Sequence, residues 1–200
     1  MKEPATGEKA VFNKFFLYSC LIAVVMSGCS STIKQFYHDS FFPEDNIYQN
    51  KSLRFVLTFT GNWNIITDPN KMDKGSREFA ATLNKSGVEL LFVGSTVEGL
   101  HGTRAIAANL NEPVREYAEY IRKVNLPDIE NDQGLVPFVT DRASMFKWIY
   151  DKSGFRFAEF FVNIGTYDIR IAFWTKTELF DNFLPVFEGI ISTISTINGF

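Results

Sequence analysis

The chain has two cysteines and two histidines among 200 residues. Cys20 lies inside an apolar N-terminal run and Cys29 just after it, so the long remainder has no thiol to close a disulfide or hold a metal. His38 and His101 stand far apart, in neither an H-x-H nor an H-E-x-x-H arrangement, which leaves zinc chemistry without its usual donors. No G-x-S-x-G elbow is present for a serine nucleophile. Gly94, Gly99 and Gly102 fit neither phosphate-loop spacing. Also missing is a run of ~20 apolar residues, the length that crosses ~30 Å of hydrocarbon. These absences point away from an enzyme, and no cofactor or metal is expected.

What is present begins with the N-terminus. Lys2, Lys9 and Lys14 precede an apolar run from Phe15 to Met26, and small residues follow. That order of positive, apolar and small segments is the pattern of a secretory signal. The small residues end at a cysteine, and Met26-Ser27-Gly28-Cys29 resembles a bacterial lipobox, with methionine where an aliphatic residue is usual. The resemblance implies removal of residues 1–28 and acylation of Cys29, for example with palmitate. Each buried methylene contributes ~0.8 kcal/mol, so more than one acyl chain anchors a protein stably without a spanning helix. Ser30 is not the aspartate that usually keeps lipoproteins at the inner membrane, which points to the outer membrane, facing the periplasm.

Residues 1–28 carry three lysines and two glutamates, leaving 17 basic and 21 acidic residues beyond them, a net charge of −4. Without a basic stripe, nucleic acid is not an expected partner. Twenty-one phenylalanines, 18 of them after Cys29, supply a large core. Two loops concentrate oxygen ligands, "DPNKMDKG" from Asp68 and "DIENDQG" from Asp128. Each lacks the glycine that a calcium loop needs at its sixth place, where Asp73 and Gln133 stand, and both read as solvated turns.

Residues 29–52 contain Pro43 and no sustained period, and are expected to form a tether after lipidated Cys29. A single domain is expected over 53–200, soluble and monomeric when cut free near Asn50. Leu53, Phe55, Leu57 and Phe59 alternate at strand period, Gly61-Asn62 turns the chain, and Trp63, Ile65 and Ile66 continue it. "KGSREFAATLNKSG" predicts a helix ended by Gly87, and "VELLFVGST" a buried strand paired with "GTRAIAANL". A second helix follows, with Asn111 as cap and Pro113 in the first turn. Then come a polar loop ("LPDIENDQG"), three strands at 143–151, 155–163 and 167–174, and a helical stripe from Phe180 to Ile197 interrupted by Pro185. Helices on a mainly antiparallel sheet define an α+β class.

A strand running into Gly61-Asn62-Trp63, a later meander and an aromatic-rich C-terminal helix resemble the PsbP-like fold over roughly residues 50–200. That superfamily includes photosystem extrinsic subunits, a Ran-binding protein and bacterial lipoproteins. The resemblance implies an α/β/α sandwich and brings no catalytic residues, since the fold serves no single activity.

The meander gives the only candidate site beyond Cys29. If Lys152-Ser153-Gly154 forms a three-residue hairpin loop, Asp151 faces Phe155, Ile149 faces Phe157 and Lys147 faces Glu159. A second hairpin pairs Asn163 with Asp168 and Phe161 with Arg170. Phe146, Trp148 and Tyr150 then share the principal core face with Ala158, Phe160, Val162, Ile169, Ile171 and Phe173. Lys147, Glu159 and Arg170 form a polar patch on the other face, because a carboxylate in so apolar a strand needs a partner. It is either a structural salt-bridge row or a docking site. The function expected from all this is a non-catalytic, lipid-anchored envelope protein that binds another envelope protein, with the membrane as its other partner. The alternative is a carrier of a small molecule or lipid in a pocket between sheet and helices.

Overall fold

The computed structural model describes residues 40–197. Cys29, the segment before it and His38 lie outside the described residues. Among the described residues, eleven strands form two antiparallel sheets. The smaller sheet holds β1 (Phe41–Phe42), β2 (Ile47–Asn50), β3 (Phe55–Thr58) and β11 (Ser195–Thr196), in the order β1-β2-β3-β11. The larger holds β4 (Trp63–Ile66), β5 (Val88–Thr96), β6 (His101–Ala108), β7 (Asn131–Val139), β8 (Ser144–Lys152), β9 (Phe155–Ile164) and β10 (Tyr167–Lys176), in the order β4-β5-β6-β10-β9-β8-β7. Helices α1 (Lys74–Lys85) and α2 (Val114–Asn125) pack on one face of the large sheet. Helix α3 (Phe180–Ser192) and the small sheet cover the other. The class is α+β, as expected.

The main core lies between the large sheet, α3 and the small sheet. Leu53, Phe55, Leu57 and Phe59 are all buried there, as their alternation predicts, against Phe92, Phe173 and Phe187. Tyr48 joins them, its ring 4.7 Å from Phe92 and 5.6 Å from Phe55. That placement corrects the tether boundary. Residues 40–52 belong to the fold: Tyr48 is 1% exposed, and Asn50 accepts from the Leu53 N–H while donating to the Tyr48 hydroxyl.

Aspartates in the first oxygen-rich loop act as caps. Asp68 accepts from the Asn70 N–H at the head of a 3₁₀ turn, and Asp73 accepts from the Ser76 N–H at the head of α1. Helix α2 is organised differently from the expectation. Pro113 occupies its N-cap position, no side chain caps it, and Asn111 takes a positive φ of 56°. The loop amides of Leu110, Asn111 and Glu112 turn instead to the buried Asp168 carboxylate, which also accepts from Asn163 at 2.7 Å. Burial pushes the Asp168 carboxyl upward in pKa, and those donors oppose it.

Two further elements differ. The expected loop after α2 contains the start of β7, an edge strand in which Gly134 (φ 77°) sits at a register shift between Asp132 and Leu135. Pro137 is tolerated because an edge strand pairs on one side only. The helical stripe ends at Ser192, and Ser195–Thr196 pair with β3. The Thr193 hydroxyl accepts from the Thr58 N–H and has the Ile190 and Thr58 carbonyls within reach of its single proton, so a tertiary bond to β3 stops the helix that the isoleucine spacing would prolong.

Glu89, on β5, has a half-buried carboxyl, and desolvation raises its pKa from 4.5 to about 7. Between those values the folded chain holds a proton that the unfolded chain has released. The folded state therefore loses stability as pH rises through 4.5 to about 7 and keeps that deficit above it. Glu89→Gln should raise the melting temperature at pH 8 and leave it nearly unchanged at pH 4. The gain is about 1 kcal/mol after discounting for solvent screening. An equal shift at both pH values in thermal melts would refute this.

Candidate functional site

The hairpin between β8 and β9 decides which residues meet. Ser153 and Gly154 both have positive φ (54° and 77°), the mark of a two-residue type I′ turn. Lys152 therefore faces Phe155, Tyr150 faces Phe157, and Trp148 faces Glu159. The expected three-residue loop placed this register one residue away, and a one-residue slip sends every side chain of β8 to the opposite face. The second hairpin follows the expected register, with Asn163 opposite Asp168 and Phe161 opposite Arg170.

The consequence is a corrected patch. Lys147 shares the α3 face with Met145 and Ile149, where its ammonium binds Glu188 of α3 at 2.6 Å and lies 5.6 Å over Phe138. Phe146, Trp148 and Tyr150 lie on the α1–α2 face, away from the main core. Glu159 and Arg170 remain together there, at 3.9 Å, and Arg104 of β6 joins them at the same distance.

Strand order explains the meeting. Arg104 lies opposite Ala172, and Ala172 lies opposite Glu159. The alanine leaves room for the arginine to reach across β10 to the carboxylate. Glu159 is 2% exposed, Arg170 14% and Arg104 22%, so the carboxylate is the floor of the cluster and the guanidiniums reach outward. The Oε1 of Glu159 and the Nε of Arg104 are buried without hydrogen-bond partners.

Aromatic rings extend from this cluster across three strands. Tyr150 stacks on Phe157 at 5.0 Å and 4°, and Phe157 meets Trp174 at 5.7 Å. Arg104 lies over the rings of Trp174 (5.9 Å) and Phe79 of α1 (5.3 Å). Trp174 lies directly on Gly102, where an added Cβ would come within 2.2 Å of the indole. Helix α1 covers the β5–β6 side through Phe79, Ala80 and Leu83; α2 covers β8 and β9 through Tyr117, Ala118 and Ile121. The arginine–glutamate cluster lies between the two packings. Burial raises the Tyr150 phenol in pKa, with Glu159 adding to the effect, and it pushes Tyr117 up to about 12 against the pull of Arg170.

His101 sits elsewhere, buried against Phe183 with ring centroids 3.7 Å apart, and its pKa is lowered by that burial. No group of three potential metal ligands occurs among the described residues. The second oxygen-rich loop also has local partners: Asp132 accepts from Arg122, the Trp148 indole and the Gly134 N–H, which holds its carboxyl at about 2.

No family model and no curated protein matches the chain. Among solved structures, the chain is similar to the solution structure of cyanobacterial PsbP (CyanoP) from Synechocystis sp. PCC 6803. The TM-score is 0.52 at 8% identity, covering 75% of this chain and 91% of that one. The fold is PsbP-like. A crystal structure from Bacteroides thetaiotaomicron VPI-5482 aligns with a TM-score of 0.43 at 11% identity, over 76% of this chain and 48% of that one. At such identities the likeness concerns fold alone.

Within the PsbP-like domain, sequence reasoning found Glu159 and Arg170 but not Arg104. The signal was available: Arg104 is a charge inside the apolar strand "GTRAIAANL", the same anomaly that singled out Glu159. Topology hid the link, because β6 reaches β9 only across β10.

Proposed function

We propose that this protein is a lipid-anchored component of the bacterial cell envelope whose PsbP-like domain binds another envelope component without catalysing a reaction. The observation that carries this reading is the order of Lys14, the apolar run to Met26, and Met26-Ser27-Gly28-Cys29. The folded part is already under way at Phe41, so only a short segment separates Cys29 from the domain. A domain held that close to its anchor samples a thin layer above the membrane, which favours partners in or on that membrane. Ser30 supports the outer membrane as the site.

Cys29→Ser should abolish incorporation of a radioactive fatty acid and move the protein from the membrane fraction to the soluble periplasmic fraction. Label equal to wild type would end the lipoprotein reading. Crosslinking the acylated protein in membranes, with a Cys29→Ser control, tests the partner: a crosslink that needs the anchor supports the reading, and none in either form counts against it.

A further inference from the structure

We infer that the outer face of the small sheet rests on the lipid surface to which acylated Cys29 holds the chain, against zwitterionic headgroups; this depends on the lipoprotein reading proposed above.

Strand pairing defines the face. Phe42 lies opposite Ile47 and Ile47 opposite Thr58, while Gln49 lies opposite Val56 and Val56 opposite Ser195. Opposed residues share a face. Alternation sends their neighbours Tyr48, Phe55 and Leu57 into the main core, so the six others form two outward rows across the four strands. None of the six is ionisable. Phe42 is 42% exposed, and Phe42, Ile47 and Val56 belong to none of the apolar clusters among the described residues. Charge is confined to the two rims. Glu44 and Asp45 are exposed in the turn after β1, and Lys51 and Arg54 in the turn after β2. A headgroup layer that carries both an ammonium and a phosphate meets both rims, whereas a strongly anionic surface is repelled at the first.

Attachment and size point to lipid as what covers this face. The chain from Cys29 enters the fold at Ser40 and runs directly into β1, the edge of this sheet. Ten residues, 30–39, lie between, and at ~3.5 Å per residue they span about 35 Å at most. The small sheet is therefore tied to the membrane by its own edge, while α1 and α2 lie beyond the large sheet. Its four strands are two to four residues long. At ~4.8 Å between strands and ~3.4 Å per residue the face covers about 200 Å², a quarter of the ~800 Å² that each partner buries in a stable complex. A patch that small does not hold a second copy or a soluble partner by itself. It suffices to orient a domain already kept at the surface, because a tether replaces encounter from solution by a local one.

Residues 29–200 hold every described residue and a single thiol, Cys29. Coupled through that thiol to a maleimide phospholipid in phosphatidylcholine nanodiscs, the chain is anchored whether or not cells acylate it. Fatty-acid labelling of Cys29→Ser tests the lipoprotein reading separately, so the two can fail independently. With a nitroxide on the lipid headgroups, the Ile47 and Val56 methyl NMR signals should relax at least tenfold faster than that of Val124 on α2. The contrast should persist in ~0.5 M salt, where exposed charges are screened within about 4 Å. Phe42→Asp and Gln49→Glu together should bring it within twofold and leave the core methyl signals of Ile169 and Ile171 in place. Equal relaxation at all three methyls, faster relaxation at Val124, or a contrast that the double variant leaves intact would overturn the assignment. So would a contrast that grows with the number of chains per nanodisc, since a second copy would then be the occupant.

Discussion

A chain that begins at Leu53 should not melt cooperatively, whereas one that begins at Ser40 should. Removing residues 40–52 strips β1 and β2 from the small sheet and leaves β3 paired only with the two residues of β11. Tyr48 takes its ring contacts to Phe55 and Phe92 with it, and Phe41 its edge contact to Phe59. Truncating one buried aromatic alone costs about 3–5 kcal/mol. The Phe59 N–H also loses its bond to the Asn46 carbonyl, and each such bond contributes about 1 kcal/mol. The total reaches the lower end of the 5–15 kcal/mol that holds a whole domain together. Calorimetry on the two chains measures this. Equal melting temperatures would show that the small sheet is dispensable.

What the sequence made legible follows from how much each signal depends on distant residues. The alternation of Leu53, Phe55, Leu57 and Phe59 is local, and all four are core. The hairpin at Gly165-Thr166 is equally local, as is the strand register that follows from it. The β8–β9 register was not legible for a physical reason. Two- and three-residue turns differ by a single residue, and alternation cannot choose between them when both faces of a strand are apolar. Phe146, Trp148 and Tyr150 pack under α2, while Met145 and Ile149 pack in the main core, so either assignment buries aromatic or aliphatic rows. Gly134 read as a loop residue because the edge position that tolerates it is a property of the sheet. The end of α3 was hidden similarly, since it depends on Thr58, far upstream in the chain.

Replacing Glu159 by alanine should destabilise the domain by about 3 kcal/mol. The carboxylate is 2% exposed and lies 3.9 Å from both Arg104 and Arg170. Without it two guanidiniums face each other over Ala172 in a poorly solvated cleft, and like charges in that setting repel strongly. Their remaining exposure of 22% and 14% lets water relieve part of the cost, which puts the effect at the lower end of the range for broken buried pairs. Replacing all three together, Arg104→Met, Glu159→Leu and Arg170→Met, removes the charges as a set and should bring stability back to within about 1 kcal/mol of wild type. Denaturant unfolding of the single and triple variants separates two accounts of the cluster. Were it retained for stability, the triple variant would be the weaker of the two. A triple variant within about 1 kcal/mol of wild type would instead show that the ion pairs add no net stability and that the cost of Glu159→Ala is the cost of leaving buried charges without their counter-ion.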